Sequence, residues 1–101
     1  MEIREKTADR NLLLELSGEL DHHAARQAME DIELAVDAAL PLKLVLDLSG
    51  VSFMDSSGIA VLLRAHRRML ALGGSLLVCH VPEQAKRVLD AAGLGRLITI
   101  R

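Results

Sequence analysis

Asp55, Ser56, Ser57 and Gly58 stand together where the stretch Val45 to Met54 gives way to an amphipathic helical pattern beginning at Ile59. Two hydroxyls and a carboxylate at a helix start meet unpaired backbone N–H groups and the positive end of the helix dipole. Such a place accepts an added anion, so a phosphate on a serine there changes surface charge without demanding a new fold. The plainer reading is that Asp55 or Ser56 simply caps the helix. A second group, Asp21, His22 and His23, follows Gly18-Glu19-Leu20 and invites a metal reading. Adjacent histidines on a helix point in different directions, and no cysteine or histidine at ligand spacing accompanies them. His66 and His80 fall on other elements. No metal is expected, and Asp21 reads as a helix cap.

Nucleophilic catalysis does not fit these serines. A nucleophile elbow needs glycine two positions before the serine, where Met54 or Asp55 stands. The nearest following histidine, His66, lies nearly three helical turns beyond Ser56. No glycine-rich loop ending in lysine is present to cradle nucleotide phosphates. The chain reads as no enzyme, with no cofactor and no small-molecule substrate; it looks like a substrate of phosphoryl transfer. Arg64, Arg67 and Arg68 read as a solvated helix face. Cys79, the only cysteine, ends the apolar run Leu76-Leu77-Val78 and reads as buried core.

The elements that must position these groups follow from hydrophobic period and turn chemistry. Ile3 to Thr7 is a weak strand, Ala8 to Asn11 a turn, and Leu12, Leu14 and Leu16 alternate as a strand face. Gly18 through Asp21 reads as a loop, and Asp21 caps a helix running to about Leu40. Ala25, Met29, Ile32, Val36 and Ala39 make its buried stripe. Pro41 ends that helix, and Leu42 to Leu48, almost continuously apolar, predicts a strand buried on both faces. The helix after Ser56 is expected to bury Ile59, Leu62, Leu63, Met69 and Leu70, and Gly73-Gly74 to stop it. Ser75 to Val81 is a strand, and Pro82 and Gly93 bracket a helix with Ala85, Val88, Leu89 and Ala92 facing inward. Leu97 to Ile100 is a last strand. An opening hairpin followed by crossover units predicts an α/β fold, a mixed sheet covered by helices, as one domain over residues 1–101.

Composition narrows the function. The chain has 101 residues, half of them apolar and about a quarter charged, which fits a folded globular domain. Twelve basic and fourteen acidic side chains give a net charge of −2, with no basic excess for nucleic acid. Phe53 is the single aromatic residue, so bases find no stacking platform. No apolar run is long enough to span a bilayer, and the charged start Met1 to Lys6 lacks the apolar core of a secretion signal. A cytoplasmic location and no membrane partner are expected.

Asp55-Ser56-Ser57-Gly58, preceded by Ser52-Phe53-Met54, resembles the phosphorylation motif of the anti-sigma factor antagonists, small bacterial regulators of the STAS superfamily. Gly18-Glu19-Leu20-Asp21-His22-His23-Ala24 is similar to that family's other signature, in the form closest to its sporulation branch. The likeness extends to Gly73-Gly74, Val78-Cys79 and Ala92-Gly93-Leu94. Ile59-Ala60 replaces the Leu-Gly of many members, and the sequence reaches Arg101 without the additional C-terminal helix of some relatives. The resemblance implies the same STAS-like mixed sheet. It further implies that the unmodified protein binds an anti-sigma factor that is also a serine kinase, freeing a sigma factor. Phosphorylation of Ser56, chosen over Ser57 by the family pattern, would end that binding, and a serine phosphatase would restore it. Asp21, Asp55, Ser56, Ser57 and Gly58 are then the expected partner-binding residues. Two rivals stand beside this reading: a STAS adaptor of a larger assembly whose serine is never modified, and a phosphoaspartate receiver. A receiver needs an acidic pair at the end of its first strand, which Glu5, Lys6 and Thr7 do not supply.

Overall fold

The computed structural model describes residues 1–101. Two strands, β1 (Glu2–Ala8) and β2 (Asn11–Leu20), form the opening hairpin. Helix α1 (His22–Ala39), strand β3 (Lys43–Met54), helix α2 (Ser56–Ala71), strand β4 (Ser75–Cys79) and helix α3 (Glu83–Ala91) follow. A short 3-10 turn, Leu94–Arg96, leads into β5 (Thr99–Ile100). The five strands lie in chain order, with β1 antiparallel to β2 and all later pairs parallel.

That order dictates where the core sits. Right-handed crossovers between successive neighbours place every helix on the same side of the sheet. Leu12, Leu14 and Leu16 of β2, Leu44, Leu46 and Leu48 of β3, and Leu76 and Val78 of β4 are buried beneath the helices. Ala25, Ala28, Ile32 and Val36 of α1, and Val61, Leu62, Ala65 and Met69 of α2, complete that core. No polar or charged side chain is buried, so hydrophobic burial carries the fold.

Several sequence expectations are corrected here. Strand β3 is not buried on both faces: its first half alternates, and Lys43, Val45 and Asp47 lie half-buried on the uncovered side. A near-continuous apolar run mimics a doubly covered strand, but chain-order topology leaves one face open. Gly18 to Leu20 are not loop. They continue β2, paired through two register shifts with Val51, Phe53 and Met54 of an equally extended β3. Gly50 permits this close pairing, because a Cβ there would lie 2.7 Å from the Ser17 Cβ. Ala39, Leu70 and Ala92 are exposed where burial was expected, and Leu97 and Ile98 turn after the 3-10 segment, so that the final strand is only Thr99–Ile100. Cys79 is not core: it sits half-buried on the open face of the sheet. Arg64 and Arg68 are not merely solvated; they pair with Glu33 and Asp37 across the α1–α2 seam. Exposed pairs of this kind contribute little stability each. No helix is long and apolar enough to cross a membrane.

Candidate functional site

Leu20 and Met54 are register partners at the ends of the parallel strands β2 and β3. Each strand runs directly into a helix, so parallel pairing sets the N-termini of α1 and α2 side by side. Asp21 and Asp55 are the N-caps of those helices, both in extended conformation. The Asp21 Oδ1 accepts the His23 N–H at 3.1 Å and the Ala24 N–H at 3.0 Å. The Asp55 carboxylate spans both helices. Its Oδ1 accepts the Ser57 N–H at 2.8 Å, and its Oδ2 accepts the His22 N–H at 3.1 Å. One carboxylate therefore closes two helix ends at once.

Ser56 opens α2 and is exposed, whereas Ser57 is half-buried. The helix cap is Asp55 and not Ser56, so the Ser56 hydroxyl has no capping bond to lose. Ser57 lines a shallow groove of 280 Å³ between the helices, with His22, Ala25, Arg26, Met29 and Ala60. Phe53 lies at the end of β3 with its ring partly exposed (42%). The structure thus brings Asp21, Asp55, Ser56, Ser57 and Gly58 to one end of the sheet.

Gly58 is buried against the strand below. A Cβ at that position would lie 2.5 Å from the Met54 Cγ and 3.0 Å from its Sδ. Met54 is fully buried, so its side chain has little room to retreat. Gly58→Ala is expected to cost about 1–3 kcal/mol as an overpacked contact, read as a lower denaturant midpoint. A loss in the Gly58→Ala, Met54→Ala double variant smaller than the sum of the two single losses would identify that contact as the cause.

One contributor to the geometry beside the serine turn has no sequence signal. The Gln84 side chain of α3 reaches across to the Met54 backbone, donating to its carbonyl at 2.8 Å and accepting its N–H at 2.8 Å. Gln84 thereby occupies both polar groups of the residue just before Asp55 and steadies the entrance to the serine turn. A glutamine in the first turn of an amphipathic helix, beside its buried Ala85, offers no periodicity or motif by which to find it.

Burial opposes ionisation of Asp55, but the Ser57 and His22 N–H bonds and the nearby His22 ring outweigh it and hold its pKa below the ordinary 3.8. Asp47 on the open sheet face behaves alike: burial raises its pKa, while the bonds from Ser49 and His80 bring it below 3.8. Both carboxyls therefore bind protons more weakly in the folded than in the unfolded chain, so stability rises with pH through the acid range. Their contribution is complete above about pH 5, and fades as the pH falls past 3.8 and through the lower folded values. Denaturant midpoints measured across that interval should fall less steeply in Asp55→Asn than in the parent chain.

The sequence model of the STAS domain family matches residues 2–101. The chain is 36% identical over 89 residues to an anti-sigma F factor antagonist of Paenibacillus polymyxa, covering 88% of this chain and 76% of that protein. It is 33% identical over 84 residues to an anti-sigma F factor antagonist of Lysinibacillus sphaericus, covering 83% of this chain and 72% of that one. Its fold is similar to that of the anti-sigma factor antagonist SpoIIAA in its unphosphorylated form. There the TM-score is 0.82, with 27% identity and coverage of 99% and 88% of the two chains. Against the Bacillus cell fate determinant SpoIIAA in its phosphorylated form the TM-score is 0.73, with 27% identity and coverage of 99% and 91%.

Proposed function

The chain belongs to the STAS-domain family, and from that premise we propose that it is an anti-sigma factor antagonist switched by phosphorylation of Ser56. In the unphosphorylated form it binds an anti-sigma factor that is itself a serine kinase, and the sigma factor is released. The kinase then transfers the γ-phosphoryl group of ATP to the Ser56 oxygen; ADP leaves and the hydroxyl proton is lost. A serine phosphatase hydrolyses the ester and returns the binding form. The chain works in the cytoplasm, as a substrate and binding partner and not as a catalyst.

The observation that carries this reading is the position of Ser56. Its hydroxyl is exposed on the first turn of α2, where two capped helix N-termini converge. A kinase can reach that oxygen without unfolding the domain, and the helix dipoles tolerate the phosphate once it is there. Ser57 is less accessible, which favours Ser56 as the acceptor. Asp21, Asp55, Ser57 and Gly58 complete the surface the partner reads. The two relatives above 30% identity named here both act on anti-sigma F factors, which favours a partner of the sporulation class.

Incubation with an anti-sigma F kinase and ATP, followed by mass spectrometry, tests the assignment. Phosphate is expected on Ser56 and on no other residue. Ser56→Ala should take up none and still bind the kinase. Its folding stability should stay within about 0.5 kcal/mol of the parent, as for an exposed residue that makes no capping bond itself. Phosphate entering Ser56→Ala at the parent level would refute the acceptor, and a chain never modified by any such kinase would leave the adaptor reading in its place.

A further inference from the structure

The open face of the sheet carries a second cluster of reactive side chains, away from the serine turn. Asp47 and Cys79 are register partners on the parallel strands β3 and β4, so their side chains stand next to each other on that face. His80 follows Cys79 at the carboxyl end of β4. It adopts a left-handed backbone conformation, φ 55°, which few residues other than glycine take up. That conformation turns its ring back toward β3, with the Nδ1 at 3.1 Å from the Asp47 Oδ2. A carboxylate oxygen, a thiol sulfur and an imidazole nitrogen thus lie within 4.8 Å of one another.

We propose that Asp47, Cys79 and His80 bind a zinc ion, with water in the fourth position. The three donors are of the types zinc takes, and one open position completes a tetrahedron. Zinc bonds of about 2.0 Å to oxygen and nitrogen set those two atoms roughly 3.3 Å apart at a tetrahedral angle. The Asp47–His80 separation of 3.1 Å is close to that distance before any ion enters. The Cys79 sulfur has only to close the remaining gap, by rotation of a half-exposed side chain. The other Asp47 oxygen, Oδ1, is held at 2.9 Å by the Ser49 N–H. That bond fixes the carboxylate so that Oδ2 faces the cluster, the role of an outer-shell partner in metal sites.

The charges also match. On binding, the thiol gives up its proton to solvent and the imidazole binds through Nδ1 as its neutral Nε2–H tautomer. One carboxylate and one thiolate then neutralise the dication. The ion takes the place of the proton between His80 and Asp47. It would clip β3 to β4 and, through the backbone bond from the His80 N–H to the Arg101 carbonyl at 3.2 Å, to the end of the chain. The spacing escapes a sequence search because Asp47 joins the Cys79-His80 pair only through strand register.

Titration of the reduced full chain with cobalt(II) alone, then with zinc(II), tests the site. Cys79 is the only cysteine, so a thiolate-to-cobalt charge-transfer band can arise from no other residue. One equivalent of cobalt should produce that band together with tetrahedral d–d absorption, and zinc should abolish both. Cys79→Ser should remove the band. His80→Ala and Asp47→Asn should each weaken binding by at least the roughly 10–100-fold that loss of an outer-shell partner costs. Zinc should raise the melting temperature of the parent chain and not that of Cys79→Ser, whose metal-free melt reports whether it folds. Absence of the charge-transfer band would overturn the proposal. So would a band of unchanged affinity in both His80→Ala and Asp47→Asn, since the thiol would then be binding metal by itself.

Discussion

Phosphate on Ser56 is expected to lower affinity for the anti-sigma partner at least about 100-fold, or ~2.7 kcal/mol, while leaving the fold in place. The modification adds about −1.5 to −2 charge, taking the net charge from −2 to roughly −4. Within the domain the new anion meets the positive ends of two helices, since α1 and α2 both begin here. Dipole attraction of about 0.3–1 kcal/mol is offset by repulsion from the neighbouring Asp55 carboxylate, which is already held ionised by the Ser57 and His22 N–H groups. The melting temperature should therefore move by no more than roughly 5 °C for a domain of this size. The partner meets a different situation. A dianion replaces an exposed hydroxyl, and burying it at an interface without a matched cation costs several kcal/mol. Repulsion and bulk act on the complex and spare the free domain. Amide chemical shifts should change around Asp55 to Ala60 and Gly18 to His23. Changes spread across the sheet would mean instead that the switch works by remodelling the fold.

Asp21→Ala should likewise cost binding more than folding. The cap bonds to His23 and Ala24 both use Oδ1, and their loss costs about 1 kcal/mol of stability. The second oxygen is left free for a partner. Truncating a partly desolvated charge in an interface costs roughly 2–5 kcal/mol, or about 30- to 5,000-fold in Kd. Calorimetric titration against the partner, beside denaturant melts of both chains, gives the two numbers. Asp21→Asn keeps the capping acceptor and should restore stability without restoring affinity. Equal losses of stability and affinity in Asp21→Ala would reduce Asp21 to a structural residue.

Local chemistry made much of this arrangement legible. Asp21, and either Asp55 or Ser56, read as caps because such side chains before amphipathic runs satisfy orphan N–H groups, and Asp21 and Asp55 are the ones that do so. The element order followed from periodicity, since a stripe such as Ala25, Ile32 and Val36 has only one way to be buried. What escaped was set by pairing between distant segments. That Asp55 also holds the His22 N–H depends on β2 and β3 ending in register, which no local window contains. Gly18 to Leu20 looked like a loop because a glycine and a glutamate disfavour strands, yet the matching extension of β3 supplies their partners. The open face of the sheet was hidden for the same reason. Leu13, Val45 and Leu77 are as apolar as core residues, and only strand order leaves them half-covered. Cys79 was misplaced with them.

The central claim is that the phosphorylation state of Ser56 decides whether the chain can take an anti-sigma factor away from its sigma factor. A preformed complex of the two, titrated with this protein and followed by analytical gel filtration, puts that claim to its most direct test. The unmodified chain and Ser56→Ala should release the sigma factor at stoichiometric amounts, and the Ser56-phosphorylated chain should release none. Release of sigma factor to the same extent by the phosphorylated and unmodified chains would contradict the account.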